Sequence, residues 1–220
     1  MQNEAYHRDI INQAGSEMLS MCKSQLQKAK DSFVTHDSDL AEEVMHKESR
    51  INALDIKIEK DCERYLALYN PVASDLRFIM AVLKINGELE RIADHAYNIS
   101  KYVVEVDNKI PSKLLSSIQF EKMYETLISM MENIMDAYEN KDVKSARKVF
   151  KKDKILDKIN SNSFSILGDE IKKDDSIVDE AFIVFSVVKK LERVGDLIKN
   201  IAEEIIFYID AEVLKHKKKK

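Results

Sequence analysis

Apolar residues recur three and four positions apart along nearly the whole chain, the spacing of one face of an α-helix. Leu76, Ile79, Leu83, Ile92, Ala96, Ile99 and Val103 form one such stripe, and Leu191, Val194, Ile198 and Ile201 form another. The pattern is interrupted at few places. Asp37-Ser38-Asp39 breaks it first, and Asp39 with Glu42 three residues on has the form of an N-cap with its return partner. At Tyr69-Asn70-Pro71 the residue before proline is pushed out of the helical region. Further breaks fall at Asp107-Asn108-Lys109-Ile110-Pro111-Ser112, at Asn140-Lys141-Asp142 and at Lys173-Asp174-Asp175-Ser176, where Ser176 with Asp179 again resembles a cap. Six helices are predicted, near 4–36, 39–69, 72–106, 113–139, 142–172 and 176–212.

Composition sharpens this to an all-α fold. Among 220 residues there are 4 Gly and 2 Pro, where average usage would give about 15 and 11. A β-rich chain of this length would need many more turn residues. The net charge of −4 does not suit a nucleic-acid-binding protein. No apolar run approaches the length of a membrane span, and the first residues have no signal-peptide core. Cys22 and Cys62 stand far apart without a CxxC pattern, so two reduced, packed cysteines and a cytoplasmic location are expected.

The six segments fall into two sets of three. A shift of 102 residues lays Leu89-Glu90-Arg91-Ile92-Ala93-Asp94 on Leu191-Glu192-Arg193-Val194-Gly195-Asp196, and Asn98-Ile99 on Asn200-Ile201. A shift of 105 lays Asp37, Ala41 and Val44 on Asp142, Ala146 and Val149, and Glu48 on Asp153. The order and spacing of these matches predict a duplicated three-helix unit: residues 1–107, then 112–214, with a basic tail at 215–220. The tail, Lys-rich, has the composition of a solubilising end.

One feature fits a plain bundle poorly. Glu90, Asp94 and Asn98 lie four apart on one helical face, and Glu192, Asp196 and Asn200 repeat the arrangement. Like charges four residues apart repel, and Arg91 and Arg193, about 100° round the helix, are not expected to sit between the acids. Facing candidates are Glu48, Asn52 and Asp55 in the first half and Asp153 and Asp157 in the second. Carboxylates converging without His or Cys form a hard-oxygen set suited to magnesium, manganese, calcium or ferric iron. By number of acids the second face is expected to bind the tighter of two cations. Glu43-Val44-Met45-His46 has the E-x-x-H spacing of carboxylate di-iron bundles, but no second copy exists. Neither His46 nor His95 is expected to be a ligand. No nucleophile, phosphate loop or acid–base set emerges, and no enzymatic activity is expected.

The paired L-E-R-[IV]-[AG]-D-x-x-x-N-I motifs, with Asn70-Pro71-Val72-Ala73-Ser74-Asp75-Leu76-Arg77 before the first, resemble the PhoU family over about residues 10–212. Glu48-Ser49-Arg50-Ile51-Asn52 and Asp153-Lys154-Ile155-Leu156-Asp157 match that family's acidic second-helix motif. The resemblance implies two tandem three-helix bundles, usually in a homodimer. It also implies regulation of phosphate uptake and of the phosphate-starvation response, through contacts with the ATPase of a phosphate ABC transporter and with a sensor histidine kinase. Association with a membrane would then be peripheral, through those partners. Some members carry multinuclear metal clusters, and the implied metal set here is iron, manganese or magnesium. Two departures stand out: Ala93 replaces the usual glycine, and Asn52 stands where the second repeat has Asp157. The alternatives are an accessory role to a sodium–phosphate cotransporter, or a metal-binding bundle serving storage or catalysis.

Overall fold

The structure, a computed structural model, describes residues 2–106 and 108–214; the basic tail at 215–220 lies outside the described residues. It is all-α, as the scarcity of glycine and proline predicts. The helices are α1 (Gln2–Thr35), α2 (Ser38–Tyr69), α3 (Ala73–Glu105), α4 (Ser112–Ser117), α5 (Phe120–Asn140), α6 (Val143–Lys173) and α7 (Val178–Asp210). Helices α1, α2 and α3 pack together as one bundle, and α5, α6 and α7 as a second.

Among the described residues seven α-helices replace the six predicted, because the fourth predicted one is broken. Gln119 adopts a left-handed φ of 57° between α4 and α5. In one continuous helix Ile118 and Phe120 would point about 200° apart. With the break both are buried, beside Leu114, Leu115 and Met123. Neither glycine nor proline marks the place, so the pattern gave no warning. The caps also differ from expectation. Asp37, not Asp39, caps α2 by accepting from the Leu40 amide at 2.9 Å. Asp174, not Ser176, accepts from the Ser176 amide, at the 3-10 turn Asp175–Ile177 that precedes α7. Asp142 caps α6 through the Lys144 amide at 2.9 Å, and Asn70 closes α2 in the left-handed conformation.

The two bundles meet chiefly through α3 and α7, and their pairing is antiparallel. Phe78 packs edge-on against Tyr208, Lys84 donates to Glu204 at 3.1 Å, Asn200 Nδ2 donates to Glu88 at 3.2 Å, and Tyr102 shares a 2.6 Å hydrogen bond with Ser186. By the 102-residue shift, Ser186 is the counterpart of Lys84 and Glu204 the counterpart of Tyr102. The same two repeat positions therefore meet twice, once in each sense, so the two repeats are related by a pseudo-twofold axis. This pairing explains why α3 buries more than one stripe. Phe78, Ala81, Val82, Ile85 and Leu89 are buried in addition to Ile79, Ile92, Ala96, Ile99 and Val103, whereas Leu76 is 40% exposed. α7 is likewise buried on a broad arc, including Val184, Val187, Val188, Leu197, Ile205 and Ile206.

A second contact joins α1 to α5. Gly15 lies against Tyr138, and a Cβ built at Gly15 would come within 3.0 Å of the ring carbon that bears the hydroxyl. The Tyr138 hydroxyl is buried and has no hydrogen-bond partner among the described residues. Gly15→Ala is expected to lower unfolding stability by about 1–3 kcal/mol through overpacking, as read by urea denaturation. Tyr138→Phe should be neutral or stabilising, since it removes an unpaired buried hydroxyl, and Gly15→Ala/Tyr138→Phe should recover part of the loss.

Candidate functional site

The long helices α2 and α3 carry the first acidic face, and α6 and α7 the second. On the first, Glu48 of α2 and Asp94 of α3 lie near enough for the Asp94 charge to act on Glu48. Burial, and then Asp94, raises the Glu48 pKa above its ordinary value. Glu90 is raised by burial and by the charges of Asp94, Asp55 and Glu48. Asp55 is raised by burial and by Glu59, and its carboxylate accepts a 2.6 Å hydrogen bond from Asn86 Nδ2. Thus Glu48, Asp55, Glu90 and Asp94 form one electrostatic cluster. Among the described residues no lysine or arginine pairs with any of them. Asn52 is exposed and makes no polar contact there. Asn98 is spent on its own helix, donating to the Asp94 carbonyl at 2.7 Å.

The second face is built from equivalent positions but balanced differently. Asp153 of α6 and Asp196 of α7 both accept from Lys199, at 2.9 and 2.6 Å. Burial raises the Asp153 carboxyl more than Lys199 lowers it, while its two carboxylate partners hold Lys199 protonated well above the ordinary lysine range. Arg193 reaches the outer edge of the same face, 3.7 Å from Asp196 and 4.0 Å from Glu192. This corrects the expectation that Arg193 does not sit between the acids. In the first repeat Arg91 turns to Glu88, three residues before it, at 3.2 Å. The residue three before Arg193 is Lys190, a like charge, so Arg193 turns forward to Asp196 instead. Asp157 is exposed and touches the face only through its field on Glu192 and Asp153. Asn200 leaves the face for Glu88 of α3.

Each face carries four carboxylates, but the second already holds two cations, Lys199 and Arg193. The sequence reading missed Lys199, Arg193 and Asn86. Lys199 was detectable, because it stands three residues after Asp196 where the first repeat has Tyr97. As they stand, no three Asp, Glu, His or Cys side chains among the described residues are arranged to hold one ion. A cation on the first face would have to draw Glu48, Glu90 and Asp94 together, whose hard oxygens and uncompensated charge suit it. His46 is exposed, and His95 is half-buried with its pKa lowered by burial and by Lys190. Cys22 and Cys62 are free thiols in the core. Away from the acidic faces, Phe164 and Phe182 are 74% and 65% exposed. With Phe185, Leu167, Ile171 and Ala181 they line an apolar groove of about 230 Å³ on the second bundle.

These features define a duplicated three-helix-bundle protein with one acidic face per repeat. The chain belongs to the PhoU family: the PhoU domain model matches it twice, over residues 16–103 and 120–205. It is 32% identical over 191 residues to the phosphate-specific transport system accessory protein PhoU homolog of Zymomonas mobilis, covering 87% of this chain and 80% of that one. It is 29% identical to the phosphate-specific transport system accessory protein PhoU of Escherichia coli, over 90% of this chain and 82% of that one. Its fold matches the crystal structure of PhoU from Pseudomonas aeruginosa with a TM-score of 0.87, over 94% of this chain and 99% of that one, at 24% identity. Among the described residues no helix is long and apolar enough to cross a membrane.

The charge balance gives opposite expectations for two equivalent substitutions. Glu48 and Glu90 have folded-state pKa values above their ordinary 4.5, so the folded state binds more protons than the unfolded chain. Their penalty is fully present above the folded values, falls as pH drops through them, and is gone below 4.5. In chelator at pH 7, Asp94→Asn should stabilise by about 0.5 kcal/mol by removing a like charge. That gain should shrink toward pH 4.5. Asp196→Asn should instead destabilise by about 1 kcal/mol by breaking the Lys199 pair. Melting curves across pH distinguish the two.

Proposed function

We propose that this protein is a cytoplasmic accessory regulator of phosphate uptake and a negative regulator of the phosphate-starvation response. It works by docking on other proteins rather than by catalysis: the ATPase of a phosphate ABC transporter and a sensor histidine kinase. The observation that carries this reading is likeness over most of the chain to proteins named as accessory to the phosphate-specific transport system. The exposed Phe164–Phe182 groove supports it, since an apolar patch of that kind marks a protein contact. A homodimer is part of the reading, with no nucleic acid and with membrane association only through partners.

Metal belongs to the same proposal. Iron, manganese or magnesium would be held on the first face by Glu48, Glu90 and Asp94, with Asp55 beside them. Bound there, a divalent cation neutralises carboxylates that otherwise repel across the α2–α3 groove, and fixes those helices relative to each other. The chain's own part is to supply the oxygens; Arg91, the neighbouring cation, lowers the Glu90 pKa but forms its ion pair with Glu88. Asp153, Asp157, Glu192 and Asp196 hold the corresponding positions in the second repeat, where Lys199 already pairs with Asp153 and Asp196.

Deleting the gene should raise expression of phosphate-starvation genes, or disturb phosphate uptake, when phosphate is plentiful; unchanged expression and uptake would refute the regulatory role. Elemental analysis of protein purified without chelator should find metal, and Asp94→Ala should lower its content more than Asp196→Ala. Phe182→Asp should weaken capture of the transporter ATPase with little change in melting temperature, because Phe182 is mostly exposed.

A further inference from the structure

The two acidic faces occupy the same positions in their repeats, yet only one has a cation of its own. In the first, Glu48 on α2 faces the charge of Asp94 on α3, and among the described residues no lysine or arginine forms an ion pair with either. In the second, their counterparts Asp153 and Asp196 are joined through the Lys199 ammonium, at 2.9 and 2.6 Å. Lys199 stands where the first repeat has Tyr97. That lysine makes the second groove an ion-paired one, and Arg193 adds a second positive charge at its rim. The lysine is 28% exposed and Asp153 10%, so the pair is mostly shielded from water and from competing ions.

We infer that Lys199 is a tethered counter-ion that replaces metal on the second face, so that cation binding by this protein is confined to the first. The inference rests on the proposed metal role of the first face only for the contrast between the faces. The second face does not fit a metal ion, because an ammonium already sits between the two carboxylates that would bridge it. An incoming ion would have to displace Lys199 and leave it unpaired beside Arg193. A lysine is covalently present at every metal concentration, so the α6–α7 contact is held whether or not metal is available, whereas α2–α3 is not. Lys199 acts by position and charge and takes part in no chemical step.

The test is Mn²⁺ binding to the full chain by equilibrium dialysis, with melting curves in EDTA. Asp196→Asn in the otherwise unchanged protein should leave bound Mn²⁺ as it was. Lys199→Met should bind a further Mn²⁺ ion per chain, lost again in Lys199→Met/Asp196→Asn, and Lys199→Arg should not gain it. In EDTA Lys199→Met should melt about 5 °C lower. The reciprocal Tyr97→Lys leaves the second face intact and should raise the melting temperature in EDTA by about 2 °C, by giving Glu48 and Asp94 a cation. The inference is overturned if Asp196→Asn alone removes Mn²⁺, if a folded Lys199→Met gains none, or if Tyr97→Lys melts as the unsubstituted protein does. Failure of the first-face metal reading appears separately, as Mn²⁺ binding that Asp94→Asn does not change.

Discussion

The antiparallel contact of α3 with α7 is the constraint from which the rest of the architecture follows. A three-helix bundle needs each helix to bury one stripe, but these two must bury a second, because each is the wall its repeat presents to the other. That demand fills α3 and α7 with apolar and small residues over most of their circumference. It leaves few positions on them for charge. The acids at 90 and 94, and at 192 and 196, occupy what remains, along the grooves shared with α2 and α6. The like-charged faces are thus a residue of the packing problem as much as an added device: chemistry has been placed on the strip that neither neighbour claims.

Twofold kinship between the repeats constrains the core more tightly than the rim. Equivalent positions meet on both sides of the pseudo-axis, as Lys84 with Glu204 and Tyr102 with Ser186 do, and the residue types there have already diverged. The glycine of the second motif has a local reason. A Cβ at Gly195 would collide with the Leu156 side chain. In the first repeat Ala93 is accepted at that position, where Ile51 of α2 stands in for Leu156. Charge has drifted further than volume: Glu88 against Lys190, and Tyr97 against Lys199, are enough to make one groove carry uncompensated acid and the other a salt bridge.

Most of the fold was legible because helical periodicity and the lack of breakers speak about local structure, which is where this fold is decided. The duplication was legible for the same reason, through motifs that recur in register. The break at Gln119 was not, because what forces it is tertiary: two apolar residues two positions apart both have to reach the core. The caps were missed by two residues because Asp37-Ser38-Asp39 and Asp174-Asp175-Ser176 each offer several oxygens, and only the chain direction selects among them. At the candidate site the acids were readable from spacing, but their balance was not. Lys199 is three positions from Asp196 on its own helix and reaches across to Asp153 on another, and the hydrophobic pattern says nothing of such a reach. Asn200 shows the converse: its spacing places it with the acids, yet it bonds to Glu88 in the other repeat.

The order in which the helices leave the ribosome gives the α3–α7 seam a temporal meaning. α1, α2 and α3 can close on one another as soon as α3 has emerged, since their contacts lie within the first half of the chain. The outer wall of α3, with Phe78, Val82 and Ile85, still has no cover, and neither does the flank of α1 around Gly15 that α5 later fills. That wall waits for α7, which is made after α4, α5 and α6. During synthesis the nascent first half therefore carries a long apolar strip open to other nascent copies, whose own α3 is the nearest available imitation of α7. Slow translation between α3 and α7 would lengthen that exposure, and the linker after α3 is the point at which synthesis rate and aggregation become coupled.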